Sequence, residues 1–461
     1  MHRLSGLDTA FLSLETPTCP LHVCGLAVLD PSTSPTGWSP AAVREVLAAR
    51  LHLTPPLRRR LVEVPFGLDN PRCIEDPDFD LDQHLRHASI PAPGGDAELA
   101  ATVARIVSVP LERSRPLWEM WTLDGLAGGR VAVLAKIHHA AIDGSTGAEL
   151  LVTVLDLAPE VAVHEPTTTW VPEPVPSDTD LLADAARSLA GRPVDLVRSV
   201  RDTIGTGLDI ARRRGQATPP PPFAAPRTSF NRSLTRSRTI AWTDLPLDEV
   251  KAVKTATGTT VNDVVLTVCS GALRQWMDER GEHPDGALVA MVPISVRRGG
   301  LEGTAGNELS TSLATLATDL DDPLDRLRAI AAVTVEIKAR QEVIGADALG
   351  DWADFAAPAL AARAARLWSR AHLADHHRPV FNLTISNVPG PPFPLYLAGA
   401  ELVRLVPLGP IHDLAGPNIT VMSYLDRLHV GVLACPDVVP DVDALVAAMA
   451  PALEELTSRV S

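Results

Sequence analysis

The pattern of hydrophobic and polar positions divides the first half of the chain into short strands and helices. LHVCGLAVLD at 21–30 is typical of a strand, and Ser39 followed by Pro40 is typical of a helix N-cap with proline at the first helical position. Two apolar runs flank the turn residues Gly128 and Gly129 and predict a strand pair. The predicted elements are strands at 21–30, 117–125 and 130–139 and helices at 40–51, 96–108 and 144–157.

The second half mixes the same kinds of segment and follows a proline-rich stretch from about Glu165 to Arg227. Pro219 to Pro222 has the composition of an extended polyproline segment, so this stretch predicts a linker. Strands are predicted at 236–245, 288–296, 308–318, 381–389, 419–426 and 428–435, and helices at 247–256, 261–280, 323–343, 348–376 and 441–458. We therefore expect an α+β protein with segments 1–164, 165–228 and 229–461.

Composition and charge narrow the classes of function. Hydrophobic residues make up 46% of the 461 positions and aromatic residues only 4%, so a large aliphatic core is expected. A net charge of −15 argues against nucleic acid as a partner, because a phosphate backbone requires a basic surface. Five cysteines without CxxC spacing argue against a disulfide framework or a zinc ribbon. The first residues make a poor signal peptide and the apolar runs are too short to span a bilayer, so we expect a cytoplasmic protein, soluble or peripheral on a membrane.

The candidate chemistry is concentrated in KIHHAAIDGSTGAELL at 136–151. Successive side chains of a strand point to opposite faces, so His138 and His139 are expected to face different surroundings, one a cleft and the other the interior. Histidine is the side chain best suited to take and return a proton near neutral pH. A purely structural histidine pair is the alternative interpretation. A metal site is disfavoured, because histidines on opposite faces chelate poorly and Asp143 adds only one ligand.

HHAAIDG resembles the HHxxxDG active-site motif of the CoA-dependent acyltransferase superfamily, which includes chloramphenicol acetyltransferase-like enzymes and the condensation domains of peptide synthetases. The flanking motifs resemble those of one branch, the bacterial wax ester synthase/diacylglycerol acyltransferases. These motifs follow in family order along nearly the whole chain: LSGLDTAFLSLE (4–15), PLW (116–118), NDVVL (262–266), PISVR (293–297), GN (306–307) and SNVPGP (386–391).

The resemblance implies two chloramphenicol acetyltransferase-like subdomains with an active-site channel at their interface. It implies that His139 is the general base and that His138 orients the loop. Asp143 is expected to be structural and to pair with an arginine, for which Arg297 is the candidate, because an unpaired buried carboxylate is costly. Gly144 is expected to leave room for the turn and for substrate. No cofactor or metal is implied; acyl-CoA is a substrate, and the acceptor is diacylglycerol or a long-chain alcohol.

Three other sets of residues are weaker candidates. Asn262 is either an oxyanion donor or the N-cap of a helix. The triplet Pro116, Leu117 and Trp118 is either a core strand or part of the channel lining. The turn-forming block with Asn387, Pro389 and Gly390 is expected to shape the channel.

The linker carries an amphipathic pattern at 193–214. The slightly longer range from Arg187 to Arg214 contains seven arginines and three aspartates, which gives it a local charge of +4. Such a helix can lie on a membrane or a lipid droplet, although an ordinary surface helix is the alternative. Two other functions stay open beside neutral-lipid acyl transfer. One is a related acyltransferase with another acceptor or a carrier-protein donor, and the other is a non-catalytic lipid-binding protein.

Overall fold

Two six-stranded sheets form the framework of the protein. The computed structural model describes residues 1–141, 153–161, 170–190, 220, 223–295, 309–344 and 358–460. The strands are β1 His2–Arg3, β2 His22–Asp30, β3 Arg59–Val62, β4 Arg72–Glu75, β5 Leu85–Ser89, β6 Trp118–Asp124, β7 Val131–His138, β8 Thr239–Pro246, β9 Val289–Ser295, β10 Leu309–Thr315, β11 Leu383–Val388, β12 Tyr396–Leu397, β13 Ala400–Leu408, β14 Pro417–Tyr424 and β15 Arg427–Ala434.

The helices pack on these sheets and are α1 Gly6–Leu14, α2 Pro40–Arg50, α3 Asp96–Val107, α4 at 178–190, α5 Leu247–Thr257, α6 Val261–Glu279, α7 Pro323–Ile344, α8 Pro358–Arg370, α9 Val442–Ala447 and α10 Met449–Val460. Helix α2 begins as predicted, since the Ser39 hydroxyl accepts from the Ala42 N–H and Pro40 follows it. Together with the predicted strands, this mixture of helices and strands confirms the α+β class.

The first sheet has the order β12-β13-β2-β7-β6-β5, and a smaller sheet of β1, β4 and β3 lies beside it. The second sheet has the order β10-β9-β11-β14-β15-β8. One hydrophobic cluster joins both halves, because it contains Leu26 of β2 and Val103 of α3 together with Leu266 of α6 and Val432 of β15. The two halves therefore share a core instead of meeting only through a linker.

Strand β13 belongs to the second half by position in the chain but to the first sheet by pairing. It runs antiparallel to β2, with Pro407 opposite Gly25. The division into 1–164, 165–228 and 229–461 stays a prediction, but no sheet boundary follows it, because β12 and β13 cross from the last segment into the sheet of the first. A strand ladder between distant segments, shifted in register only between Leu402 and Arg404, fixes the relative position of the halves.

Several predicted elements need correction. The single helix predicted at 348–376 is described only from Pro358, ends at Arg370, and is followed by a left-handed His372 (φ 49°) and a 3-10 turn. The helix predicted at 441–458 is two helices, because Pro451 cannot donate the backbone bond that would continue the first into the second. Strand β13 and helix α1 were not predicted. Most of the helix predicted at 144–157, and all of the one at 193–214, lie outside the described residues.

A close backbone approach between the two sheets is testable at Gly431 of β15. A Cβ placed there would lie 2.0 Å from the Pro407 carbonyl oxygen of β13. We expect Gly431→Ala to lower the free energy of unfolding by about 1–3 kcal/mol, because the strands must move apart. Urea unfolding followed by circular dichroism measures this.

Gly25→Ala is the matched control for Gly431→Ala. Gly25 pairs with the same Pro407, but nothing lies within 4 Å of the added Cβ. Equal loss of stability in the two variants would contradict the close packing of β15 on β13.

Candidate active site

The adjacent histidines lie where β7 ends and a single 3-10 turn, His139–Ala141, begins. The His138 N–H donates to the Leu117 carbonyl at 2.9 Å, towards β6, and the His139 N–H donates to the Leu21 carbonyl at 2.9 Å, towards β2. The two amides therefore bond to opposite neighbouring strands, as the extended backbone of β7 requires. His138 is 1% exposed, whereas His139 is half-buried.

His138 ties the turn to helix α1. Its Nδ1 accepts from the Ala140 N–H at 3.0 Å, so the neutral ring carries its proton on Nε2. That nitrogen lies 3.6 Å from Oε1 of Glu15, and Oε2 of Glu15 accepts from Arg113 at 2.7 Å. Burial raises the pKa of the Glu15 carboxyl, but His138 and Arg113 together bring it down to about 2. Glu15 is thus a carboxylate that accepts from Arg113 and lies beside the His138 ring.

His139 lies against an aromatic ring of the same helix. Its imidazole stacks on Phe11 with ring centroids 4.0 Å apart and planes inclined by 22°. Its Nδ1 is buried and has no hydrogen-bond partner among the described residues. Burial lowers the pKa of His139 to about 4, and the neighbouring His138 adds to that shift. The imidazole is therefore neutral at pH 7, which is the form that can accept a proton.

Buried polar side chains anchor β2 and β7 to helix α3 directly before the histidine pair. Lys136 donates to the carbonyls of Ile106 and Val109 at 3.3 and 2.5 Å. The His22 ring donates from Nε2 to the Val107 carbonyl at 2.8 Å. The Ile106 and Val107 carbonyls lie in the last turn of α3, which leaves such groups unpaired, and Val109 follows just after the helix. Burial lowers the pKa of Lys136 and lowers the pKa of His22 to about 3.

The motif formed by Pro116, Leu117 and Trp118 is buried. The Trp118 Nε1 donates to the Leu57 carbonyl at 2.7 Å, and its ring stacks on His84 at a centroid distance of 4.5 Å. These contacts are those of a packed core strand, and the Leu117 carbonyl also holds the His138 amide. A role in lining a channel stays a prediction.

Two predicted site residues from separate motifs lie side by side. Asn387, on β11, donates from Nδ2 to Oδ1 of Asn262 in a long hydrogen bond of 3.5 Å. The N-cap interpretation of Asn262 is wrong, because the Thr260 hydroxyl caps α6 by accepting from the Asp263 N–H. Asn262 sits inside the first turn and is half-buried. The contact orients its amide so that Nδ2 is directed away from Asn387.

The SNVPGP block makes a close turn against β14. The Gly390 N–H donates to the Ser423 hydroxyl at 2.9 Å, and a Cβ at Gly390 would lie 1.9 Å from the Ser423 carbonyl oxygen. Only glycine fits such an approach. Pro389, directly before it, is exposed.

Three predicted site residues, Asp143, Gly144 and Arg297, lie outside the described residues. Conversely, sequence reasoning missed Phe11, Glu15 and Arg113. The signal was partly available, because Glu15 is the last residue of the LSGLDTAFLSLE motif and follows an apolar helix directly. Its partners could not be inferred, since they lie roughly one hundred residues further along the chain. Within the described ranges, no cluster of three or more His, Cys, Asp or Glu side chains is arranged to hold a metal ion.

Fold and histidine turn together define a class, the HHxxxDG acyltransferases with two chloramphenicol acetyltransferase-like halves. The fold matches the first condensation domain of the calcium-dependent antibiotic synthetase with a TM-score of 0.58 at 18% identity, over 100% of this chain and 96% of that one. It matches the wax ester synthase/diacylglycerol acyltransferase of Marinobacter aquaeolei VT8 with a TM-score of 0.68 at 28% identity, over 99% of both chains.

Family models identify the branch. The wax ester synthase/diacylglycerol acyltransferase catalytic domain matches residues 4–265, and the C-terminal domain of the same family matches residues 305–457. A Mycobacterium tuberculosis relative with the provisional name diacylglycerol O-acyltransferase is 39% identical over 458 residues, which is 99% of this chain and 90% of that one. Another from the same organism is 36% identical over 99% of this chain and all of its own length. The chain belongs to the wax ester synthase/diacylglycerol acyltransferase family and is an O-acyltransferase, which confirms the predicted family and fold.

No helix within the described ranges is long and apolar enough to cross a bilayer.

The Glu15 carboxylate gives a test of the network around His138. We expect Glu15→Gln to lower the free energy of unfolding at pH 7 by about 1–3 kcal/mol, because a largely buried carboxylate loses its charge opposite the exposed Arg113. A carboxyl whose folded pKa is about 2 stabilises the protein fully above its unfolded value of 4.5. That stabilisation is lost as the pH falls towards 2, so the difference between the proteins should shrink there. Urea unfolding across this pH range measures it.

Glu112→Gln is the control, since Glu112 pairs with Arg115 at 3.7 Å on the surface, where ion pairs contribute less than about 1 kcal/mol. A Glu15→Gln variant as stable as this control at pH 7 would contradict the network.

Proposed function

We propose that this enzyme transfers a fatty acyl group from acyl-CoA to diacylglycerol, to a long-chain alcohol, or to both, with His139 as the general base. The observation that carries the proposal is the placement of the His139 ring, neutral and stacked on Phe11, in the HHxxxDG turn. The names of the family and of its relatives supply the substrate class.

The chemistry follows from that ring. Its Nδ1 is enclosed, so Nε2 is the nitrogen available to the acceptor hydroxyl. As the hydroxyl oxygen attacks the thioester carbon, its proton passes to Nε2. The carbon–sulfur bond then breaks and the same proton passes to the departing sulfur, which gives free CoA and an ester. The reaction therefore balances without an acyl-enzyme intermediate.

His138, the residue before the base, positions it. His138 holds the Ala140 amide and faces the Glu15 carboxylate, so it fixes the turn that carries His139. A flexible turn would lose the alignment on which proton transfer depends. We assign His138 and Glu15 a positioning role on this ground.

Asn262 is the proposed oxyanion donor. Asn387 occupies its Oδ1, which leaves the Nδ2 group of Asn262 to donate to the thioester oxygen as negative charge develops there. Asn387 and the tight turn at Gly390 are proposed to shape the channel beside it. Asp143 and Arg297 are still proposed to form a structural pair, and Gly144 to leave room at the turn.

The acceptors are insoluble in water, so we propose that the enzyme works peripherally on a membrane or a lipid droplet in the cytoplasm. The arginine-rich segment at 193–214 remains a proposed contact.

Acyl transfer is tested with purified protein, labelled palmitoyl-CoA, and either hexadecanol or dioleoylglycerol. We expect labelled ester and an equivalent amount of free CoA, with kcat/KM about 10²–10⁴ lower in His139→Ala because proton transfer is lost. Separation of neutral lipids identifies the acceptor, and His2→Ala, which removes an exposed histidine, is the control. Full ester formation by His139→Ala would contradict the assignment of the base, and no ester from either acceptor would contradict the substrate class.

A further inference from the structure

Helix α8 exposes an apolar stripe to solvent. Leu360, Ala364 and Leu367 follow one another at helical spacing and are all exposed, Leu360 by 65% and Leu367 by 66%. The other side of the helix is half-buried, and the helix packs against α1. An amphipathic helix normally buries its apolar stripe, so a stripe that points outward indicates a surface that contacts something else.

Arginines line one side of this stripe. Arg363, Arg366 and Arg370 are exposed, and the helix contains no acidic residue. From residue 358 to 379 there are four arginines and one aspartate, 4 − 1, which gives a local charge of +3 in a chain whose net charge is −15. The surface is therefore apolar and basic together, in a chain that is acidic as a whole.

A second exposed apolar group lies next to the first turn of α8. Phe66 is 85% exposed, although its φ of 62° places it in the left-handed region that a phenylalanine rarely adopts. Gly67 touches the helix, since a Cβ there would lie 2.7 Å from the Cβ of Ala359. The loop thus holds an aromatic ring in water beside the apolar stripe, in an unfavourable conformation.

This surface is one helix away from the active site. Helix α1 packs against α8 and also carries Phe11, which stacks on His139. A molecule bound at the α8 surface is therefore close to the elements that hold the base.

We propose that Phe66, Leu360 and Leu367, with Arg363, Arg366 and Arg370, form a docking surface for an anionic lipid bilayer. The apolar side chains enter the acyl region, and the arginines meet the lipid phosphates. The purpose of the surface, delivery of an insoluble acceptor, rests on the proposed function.

The positive charge of the α8 surface favours an anionic bilayer over a second copy of the chain as its partner. A symmetric dimer through this face would bring the arginines of both copies into one interface, with no acidic residue of α8 to offset them. Anionic headgroups neutralise these arginines, and each arginine near such a surface adds about fivefold to binding.

Flotation of the full chain with vesicles tests the proposal. One set contains phosphatidylcholine alone and the other phosphatidylcholine with phosphatidylglycerol. We expect binding to the anionic set, reduced about tenfold or more by Phe66→Ser combined with Leu367→Ser, because buried apolar area is lost. The charge variant, Arg363→Gln with Arg366→Gln and Arg370→Gln, should bind the anionic set about tenfold or more weakly than the unaltered protein.

Matched controls distinguish the effect of this surface from the loss of any exposed apolar side chain or any positive charge. Val335→Ser removes an apolar side chain that is also 66% exposed, and Lys251→Gln with Lys254→Gln removes two charges from α5. Both controls should bind like the unaltered protein. The circular dichroism spectrum and the unfolding midpoint in urea should be unchanged in all variants, which shows that they fold.

The outcomes are distinct. Binding that depends on the α8 surface supports the proposal even if no acyl transfer is seen, in which case the proposed function fails alone. No vesicle binding, equal binding by surface and control variants, or a dimer that the surface variants dissociate would overturn it.

Discussion

The antiparallel register of β7 between β2 and β6 is the constraint on which the site depends. Because the amides of His138 and His139 bond to carbonyls of opposite neighbouring strands, the turn is fixed between β2 and β6. Each ring then meets its own partner, Glu15 for His138 and Phe11 for His139. A slip of one residue would exchange their roles and place the wrong ring against Phe11. The buried anchors at Lys136 and His22 hold the strands in that register directly before the turn.

The two histidine rings have different neighbours, and these neighbours give the rings different roles. The exposed Arg113 compensates the largely buried Glu15 carboxylate, which lies beside the buried His138 ring as a charged partner. His139 has an aromatic neighbour instead, and burial keeps it neutral. Strand β13 pairs with β2 and so fixes the second half against the first. Asn262 and Asn387, in the second half, are therefore held in a fixed position relative to the histidines.

Local sequence signals predicted most elements of the fold and the class of the site. The apolar pattern at 130–139 predicted β7, and Ser39 with Pro40 predicted the start of α2. Long-range pairing was not predictable, because β13 finds its partner more than 370 residues earlier in the chain. The same holds for Arg113 with Glu15. The cap of α6 was assigned to the wrong residue, although Thr260 and Asp263 show the spacing of a capping box.

The most direct measurement of the central claim is a pH titration of the imidazole nitrogens in protein labelled with ¹⁵N-histidine, with His139→Gln and His138→Gln to assign the signals. We expect His139 to stay neutral from pH 7 to about pH 5 and to become protonated near its pKa of about 4. His138 should show an unprotonated Nδ1 at neutral pH, because that nitrogen accepts from the Ala140 amide. Protonation of His139 near 6.5, the ordinary value, would mean that its ring is solvated, and would contradict the enclosed, neutral base described above.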